Sequence, residues 1–228
     1  TNGDGSATVP APGDWQGIYL YGSGTSYEGI GNFDYCRIRY GGNTAYGIGN
    51  VYFGYSDAGY FNNSVCEHSQ SYGIGASGSS LTVDNSSVQS SGGDGFLING
   101  GSLSMTGSSI ADNGGQGIHA SGGALSIAGC SITDNGDIGV NAVGSGTTAL
   151  SGSTLTGNGG YAAVLNQTTL SDAIGGNTVS GNGLDMFALG GTVTADQTWD
   201  FATGLRDLVM VGSVTVNSGA TLTLPAGS

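Results

Sequence analysis

The chain has 228 residues, 47 of them Gly and 3 Pro, with 37% apolar residues, no Lys and a net charge of −13. That charge excludes a nucleic-acid binder, which needs a basic stripe against phosphate, and argues against docking on an anionic membrane. The apolar fraction excludes a disordered Gly-rich polymer, and no apolar run approaches the ~20 residues that insert across a bilayer.

Residues 1–14 read as a loop. Asn2-Gly-Asp4-Gly matches part of a calcium-loop pattern, with oxygen ligands at alternate positions, and Asp14 could close the site. The first Asp of the pattern would precede Thr1, so weak calcium binding stands beside a plain turn as the reading of this segment.

From residue 15 the chain repeats. A small residue followed by an apolar one recurs at Gly17-Ile18, Gly47-Ile48, Gly73-Ile74, Gly95-Phe96, Gly117-Ile118, Gly139-Val140, Ala163-Val164 and Asp185-Met186. The spacings are 30, 26, 22, 22, 22, 24 and 22 residues. A second series is Ile38, Val65, Val88, Ile110, Ile132, Leu155 and Val179. A third lies between them, as Leu81-Thr-Val83, Leu103-Ser-Met105 and Leu125-Ser-Ile127. Helical periodicity is absent, and three short alternating strands per ~22-residue repeat cannot make a compact sandwich. Stacking each strand on its counterpart one repeat away satisfies all three series. This predicts an all-β, single-stranded parallel β-helix over 15–195, of about eight coils with three strands each and ~4.8 Å of rise per coil.

Fourteen of the nineteen aromatic residues lie within the first 72, so the N-terminal coils are chemically distinct. Tyr19 and Tyr21 alternate with Ile18 and Leu20 and should face outward, as a sugar-binding face would. Bulkier side chains closing longer first coils is the plainer reading. Arg37 and Arg39 are the only cations in the body of the solenoid. They should project outward, with Glu67 one coil further on as a neighbour. Tyr19, Tyr21, Arg37, Arg39 and Glu67 are therefore the candidate ligand-binding residues, and Asn2, Asp4 and Asp14 the candidate metal ligands.

Cys36, Cys66 and Cys130 are odd in number and lack metal spacing, so they read as buried or semi-buried small residues at rungs held elsewhere by Ser, Asn or Ala. Asn113, Asn135, Asn158 and Asn182 should turn the chain in left-handed geometry and stack their amides. Asp112 and Asp134 look like a carboxylate pair but match successive turns, and Asp94 and Asp137 read as solvated turn residues. Ser64, Ser87, Ser109, Ser131, Thr154 and Thr178 should form an outward hydroxyl row, flanked by a second row that Cys66, Gln89 and Ala111 interrupt. His68 and His119 fall in different series and are not expected to share a metal. Residues 196–228, with Val209-Met-Val211, Val214-Thr-Val216 and Leu222-Thr-Leu224, read as a terminal β segment leading into a further module or subunit.

The segments GSSIADNGGQGIHA and GCSITDNGDIGVNA resemble the parallel β-helix repeats of the pectate-lyase-like superfamily, a likeness covering residues 15 to about 190. That resemblance implies a right-handed coil and an extracellular or surface setting in bacteria. It leaves function open among lyases, hydrolases, adhesins and fibre proteins. Superfamily lyases need a Lys or Arg base beside calcium-binding carboxylates, and hydrolases need clustered carboxylates; neither set is evident here. The expectation is a non-catalytic structural or adhesive rod that contacts further copies or modules end to end. Carbohydrate binding, or polysaccharide cleavage, is the alternative.

Overall fold

The computed structural model describes residues 8–22, 29–43, 48–55, 58–170, 174–200, 202–204 and 206–224. Among them there is no helix, and every strand pair is parallel and joins counterparts one coil apart. Each coil has three faces. The third face is the most regular, an eight-stranded sheet running from Arg37–Arg39 to Ala202–Thr203. Eight rungs make about seven turns, one fewer than the repeat predicts.

On the first two faces the strands are short and separate in the early coils, such as Phe96–Asn99 followed by Ser102–Thr106. From Ile118–Ala128 onward they fuse into strands of ten to twelve residues, as in Val140–Ser151 and Asp207–Val216, so one 14-stranded sheet wraps both faces. Glycine makes that corner possible. Gly101, Gly123 and Gly146 all have positive φ, and a Cβ on them would lie 2.2, 2.6 and 1.8 Å from a backbone oxygen of the coil below.

The core is a set of side-chain stacks. Ile74, Phe96, Ile118 and Val140 align on the first face, and Leu81, Leu103 and Leu125 on the second, all closed to solvent. Four anchors differ from those predicted. Ile18 pairs with Val51, not Ile48, because buried Asn50 takes the place held by glycine elsewhere. Its side-chain Oδ1 accepts from Gly41 N–H at 2.8 Å and its Nδ2 donates to the Glu67 backbone carbonyl at 2.9 Å, which sets the strand start at Val51. Ala163, not Val164, stacks on Val140, since Ala162 occupies the glycine position. A register shift between Tyr161 and Ala163 then puts Phe187, not Met186, in the core. On the third face Cys66, not Val65, stacks between Ile38 and Val88.

Buried polar ladders line two corners. Ser64, Ser86 and Ser108 each accept the N–H of the counterpart one coil earlier, at 2.9–3.1 Å. Ser64 thus belongs to this inward ladder, and Val65 takes its predicted place in the outward hydroxyl row. Cys36 and Cys130 are rungs of the same ladder, their thiols bonding the carbonyls that serine hydroxyls bond elsewhere. At the next corner the Asn113 amide donates to Asn135, Asn135 to Asn158 and Asn158 to Asn182, at 2.8–2.9 Å. The left-handed residue is not the Asn, as predicted, but the one before it: Asp112 and Asp134 have φ of 55° and 54°, and Gly157 and Gly181 follow. The Asn keeps an ordinary backbone so that its amide can aim inward, to the carbonyls of Val88, Ile110, Ile132 and Leu155.

This ladder stops one rung short. Ser91 occupies the next position, and its buried hydroxyl has no hydrogen-bond partner among the described residues. Gly73 sits beside it as Gly95 sits beside Asn113, leaving room for a longer side chain. Ser91→Asn should therefore extend the ladder, placing its amide against the Cys66 carbonyl and its oxygen against Ser69 N–H. The expected gain is about 1 kcal/mol, a rise of roughly 2–4 °C in Tm by calorimetry. A fall in Tm would mean that the corner cannot accept the amide.

Candidate functional site

The regular middle coils present mostly short Ser, Thr and Asn side chains, and the stacked tyrosines, Arg37, Arg39 and Glu67 lie in the first three coils. Tyr19 and Tyr21 point outward from the first face, as predicted, and both are about half exposed. Tyr52 is in register with Tyr19 one coil on, and their rings stack with centroids 5.2 Å apart; Tyr19 and Tyr21 stack at 5.7 Å. Tyr55 meets Tyr21 edge-on at 6.3 Å. Gly54 leaves the gap on which this group converges, since a Cβ there would lie 2.9 Å from the Tyr52 ring. Burial among these phenols raises the Tyr19 pKa above its ordinary value.

Three tyrosines take left-handed backbone at the three corners of the early coils: Tyr35, Tyr40 and Tyr55, with φ of 51°, 66° and 51°. Tyr35 is 81% exposed, so packing does not hold it there. Apart from His68, which follows Tyr40, later coils use Gly, Asn, Asp or Ser at the same corners. A bulky residue in this region costs roughly 1–2 kcal/mol, a cost that tends to mark functional surfaces.

The third face carries the ionic cluster. Arg37 and Arg39 point outward from one strand, and Glu67 lies in register with Arg39 on the next rung. Arg37 grips the Glu67 carboxylate with two nitrogens, Nε at 2.7 Å and Nη2 at 3.0 Å. Arg39 Nη1 lies 3.9 Å away. Gln89, held by the Ser87 hydroxyl, donates its amide at 3.2 Å to Glu67 Oε2, the oxygen that also accepts from Arg37 Nη2. The carboxylate is only 2% exposed, and its hydrogen bonds to Arg37 hold its pKa below the usual carboxylate range against the opposing effect of burial. Arg39 also lies over the Tyr40 ring at 5.3 Å, and Tyr40 stacks on His68 at 5.4 Å.

Arg37, Arg39 and Glu67 are thus brought together, while Tyr19 and Tyr21 lie on another face. Of the candidate metal ligands, Asn2 and Asp4 fall outside the described residues. The Asp14 carboxylate closes a local turn by accepting Ala11 N–H at 2.9 Å. No group of three His, Cys, Asp or Glu gathers among the described residues. Burial pushes the Cys66 thiol pKa up to about 12 and raises that of Cys130, so both are poor nucleophiles. One contact was not legible in the repeat: Asp94 accepts Gln116 N–H at 2.8 Å and meets His119 Nδ1 at 3.1 Å. The pairing joins a turn to a strand of the next coil, an offset that no single repeat series carries.

Residues 49–199, well over half of the chain, match the family described as a right handed beta helix region. The chain belongs to the right-handed β-helix family. The hand of the solenoid follows from that membership, in line with the resemblance of its repeats to pectate-lyase-like proteins. No curated protein and no solved structure matches the chain.

The Glu67 cluster predicts an acid-sensitive first turn. A carboxylate whose pKa is depressed on folding stabilises the fold above its unfolded pKa of about 4.3 and loses that contribution as pH falls through the lower folded value. Arg37→Ala should lower the urea midpoint at pH 7, and the gap from wild type should narrow below about pH 4 as Glu67 is protonated in both proteins. A gap independent of pH would mean that Arg37 acts through packing alone.

Proposed function

We propose that this β-helix is a non-catalytic, extracellular rod segment of a bacterial secreted or surface protein, serving a structural or adhesive role and joined end to end to further coils. The observation that carries this reading is the strand Asp207–Val216. It pairs on one side with Leu184–Val193, and among the described residues nothing pairs with its other side. From Leu208 to Val216 it has no charged residue, and Met210, Val211 and Val216 are 51, 44 and 42% exposed. A long, apolar, uncharged edge favours a further parallel or antiparallel strand, from another module or a second copy.

The opposite end is different in kind. Trp15 donates its indole N–H to the Arg39 carbonyl at 2.9 Å, and Gly13 N–H reaches the Tyr40 carbonyl at 3.1 Å. Residues 8–16 thereby cover part of the first rung of the third face. The two ends are therefore unlike, as suits a rod that extends from its Asp207–Val216 end.

The exposed tyrosines support carbohydrate binding as a second reading, because aromatic faces with polar tips suit sugar rings and two of these residues keep a strained backbone. Polysaccharide cleavage is disfavoured, since the Arg37 guanidinium is engaged by Glu67 and so is not a free base.

Light scattering across a concentration series should show end-to-end association that Val211→Lys abolishes without changing Tm. A strict monomer at all concentrations would remove self-association and leave only other modules as partners. Incubation with acidic and neutral polysaccharides plus Ca²⁺ should release no unsaturated products or reducing ends. Turnover lost in Arg37→Ala or Arg39→Ala would replace the rod with an enzyme.

A further inference from the structure

We infer that Arg37, Arg39 and Tyr40, set around Glu67, form a receptor for a small oxyanion group, a carboxylate or sulfate. The inference goes beyond the rod reading and does not depend on it. It begins with a charge imbalance. Two of the three cationic residues of a chain with net charge −13 stand two residues apart on one strand and face the same way. Among the described residues, Glu67 is the carboxylate that meets either of them. One carboxylate neutralises one guanidinium, and Arg37 takes it, bidentate and short. Arg39 touches it only at 3.9 Å and stays 44% exposed, and among the described residues no hydrogen bond takes up its N–H donors.

A purely structural ion pair would need one arginine. The second adds repulsion between like charges on neighbouring positions, which an external anion would relieve. The surroundings also hold the pair in place. The Glu67 carboxylate is also fixed by Gln89, itself held by Ser87, through Oε2, the oxygen that accepts from Arg37 Nη2, so the Arg37 fork has little freedom to rotate. Arg39 rests on the Tyr40 ring, and Tyr40 on His68. Tyr40 and His68 both adopt left-handed backbone, with φ of 66° and 52°, where the following coils have Ser90, Asp112, Asp134 and Gly157. The aromatic stack thus occupies one corner in two successive coils, where smaller residues fit the backbone better. A guanidinium oriented by an aromatic face and a fixed carboxylate is preorganised for planar, two-point recognition of a carboxylate or one edge of a sulfate.

In this arrangement Glu67 is the ligand's competitor, because it occupies donors that an external anion would use. Removing its charge should therefore strengthen anion binding while weakening the fold, opposite to the effect expected if Glu67 were itself a ligand contact. The test is an NMR titration of the arginine Nε–H signals with sodium acetate, and separately with sodium sulfate, at constant ionic strength. The wild-type protein should show saturable shifts at Arg39 in the millimolar range, about that of a single charge-assisted contact in water. Saturation by acetate alone assigns a carboxylate, and by sulfate alone a sulfate; by both, it assigns oxyanions generally. Arg39→Gln should abolish saturation, and Glu67→Gln should tighten it by about tenfold or more. Shifts that stay linear in the wild-type protein overturn the proposal. So does weaker binding in Glu67→Gln, or unchanged binding in Arg39→Gln. Should Glu67→Gln fail to fold, the wild-type and Arg39→Gln titrations still decide, since Arg39 is exposed and its side chain makes only the long contact to Glu67 and the packing on the Tyr40 ring.

Discussion

Parallel backbone pairing between counterparts one coil apart governs everything else in this molecule. A strand can hydrogen-bond in register to the coil above and below only if every coil returns to the same position, so each face becomes a column of equivalent residues. The columns then impose their own chemistry. An inward position must hold an apolar side chain that fits its neighbours above and below, and an inward polar residue must find its partner in its own column. The Asn113–Asn182 ladder meets that demand with a repeated amide, and the Ser64–Ser153 ladder with a hydroxyl for which a thiol can substitute at Cys36 and Cys130.

The same constraint explains where variation collects. In the middle coils a change at one rung disturbs two neighbours, and the sequence there is nearly monotonous. The first coils are longer, and their columns are broken by Asn50, by Cys66 and by the inward glycines Gly31 and Gly59. These glycines make room for the Phe53 ring, since a Cβ on either would lie 2.6 Å from it. Freed from strict repetition, this end carries the stacked tyrosines, both body arginines and Glu67. The chemically specific surface therefore lies where the repeat is weakest.

The first and last described coils differ in what meets their outer edges. At one end Trp15 and the turn around Gly13 satisfy backbone carbonyls of the first rung on the third face. At the other, Asp207–Val216 presents an apolar edge. Such an edge would be a liability in a free globular domain, and the rod we propose would use it to pair with a further strand. Loss of charge over Leu208–Val216 removes the repulsion that usually guards a sheet edge.

The repeat spacing determined the architecture, because a 22-residue recurrence of apolar, glycine and asparagine positions is compatible only with stacked coils. The outward direction of Tyr19, Tyr21, Arg37 and Arg39 was equally legible, since strand alternation fixes it locally. The register at the breaks was not. Ile48 and Val51, Val65 and Cys66, Val164 and Ala163, and Met186 and Phe187 are each plausible anchors by hydrophobicity. The choice between them was made by contacts across coils, such as Asn50 reaching Gly41 and Glu67. The residue that turns left-handed beside each ladder Asn, the bidentate grip of Arg37 on Glu67 and the meeting of Asp94 with His119 were likewise decided by the tertiary structure. Each depends on where one coil lies on the next, a distance of one interstrand spacing in space but more than twenty residues along the chain.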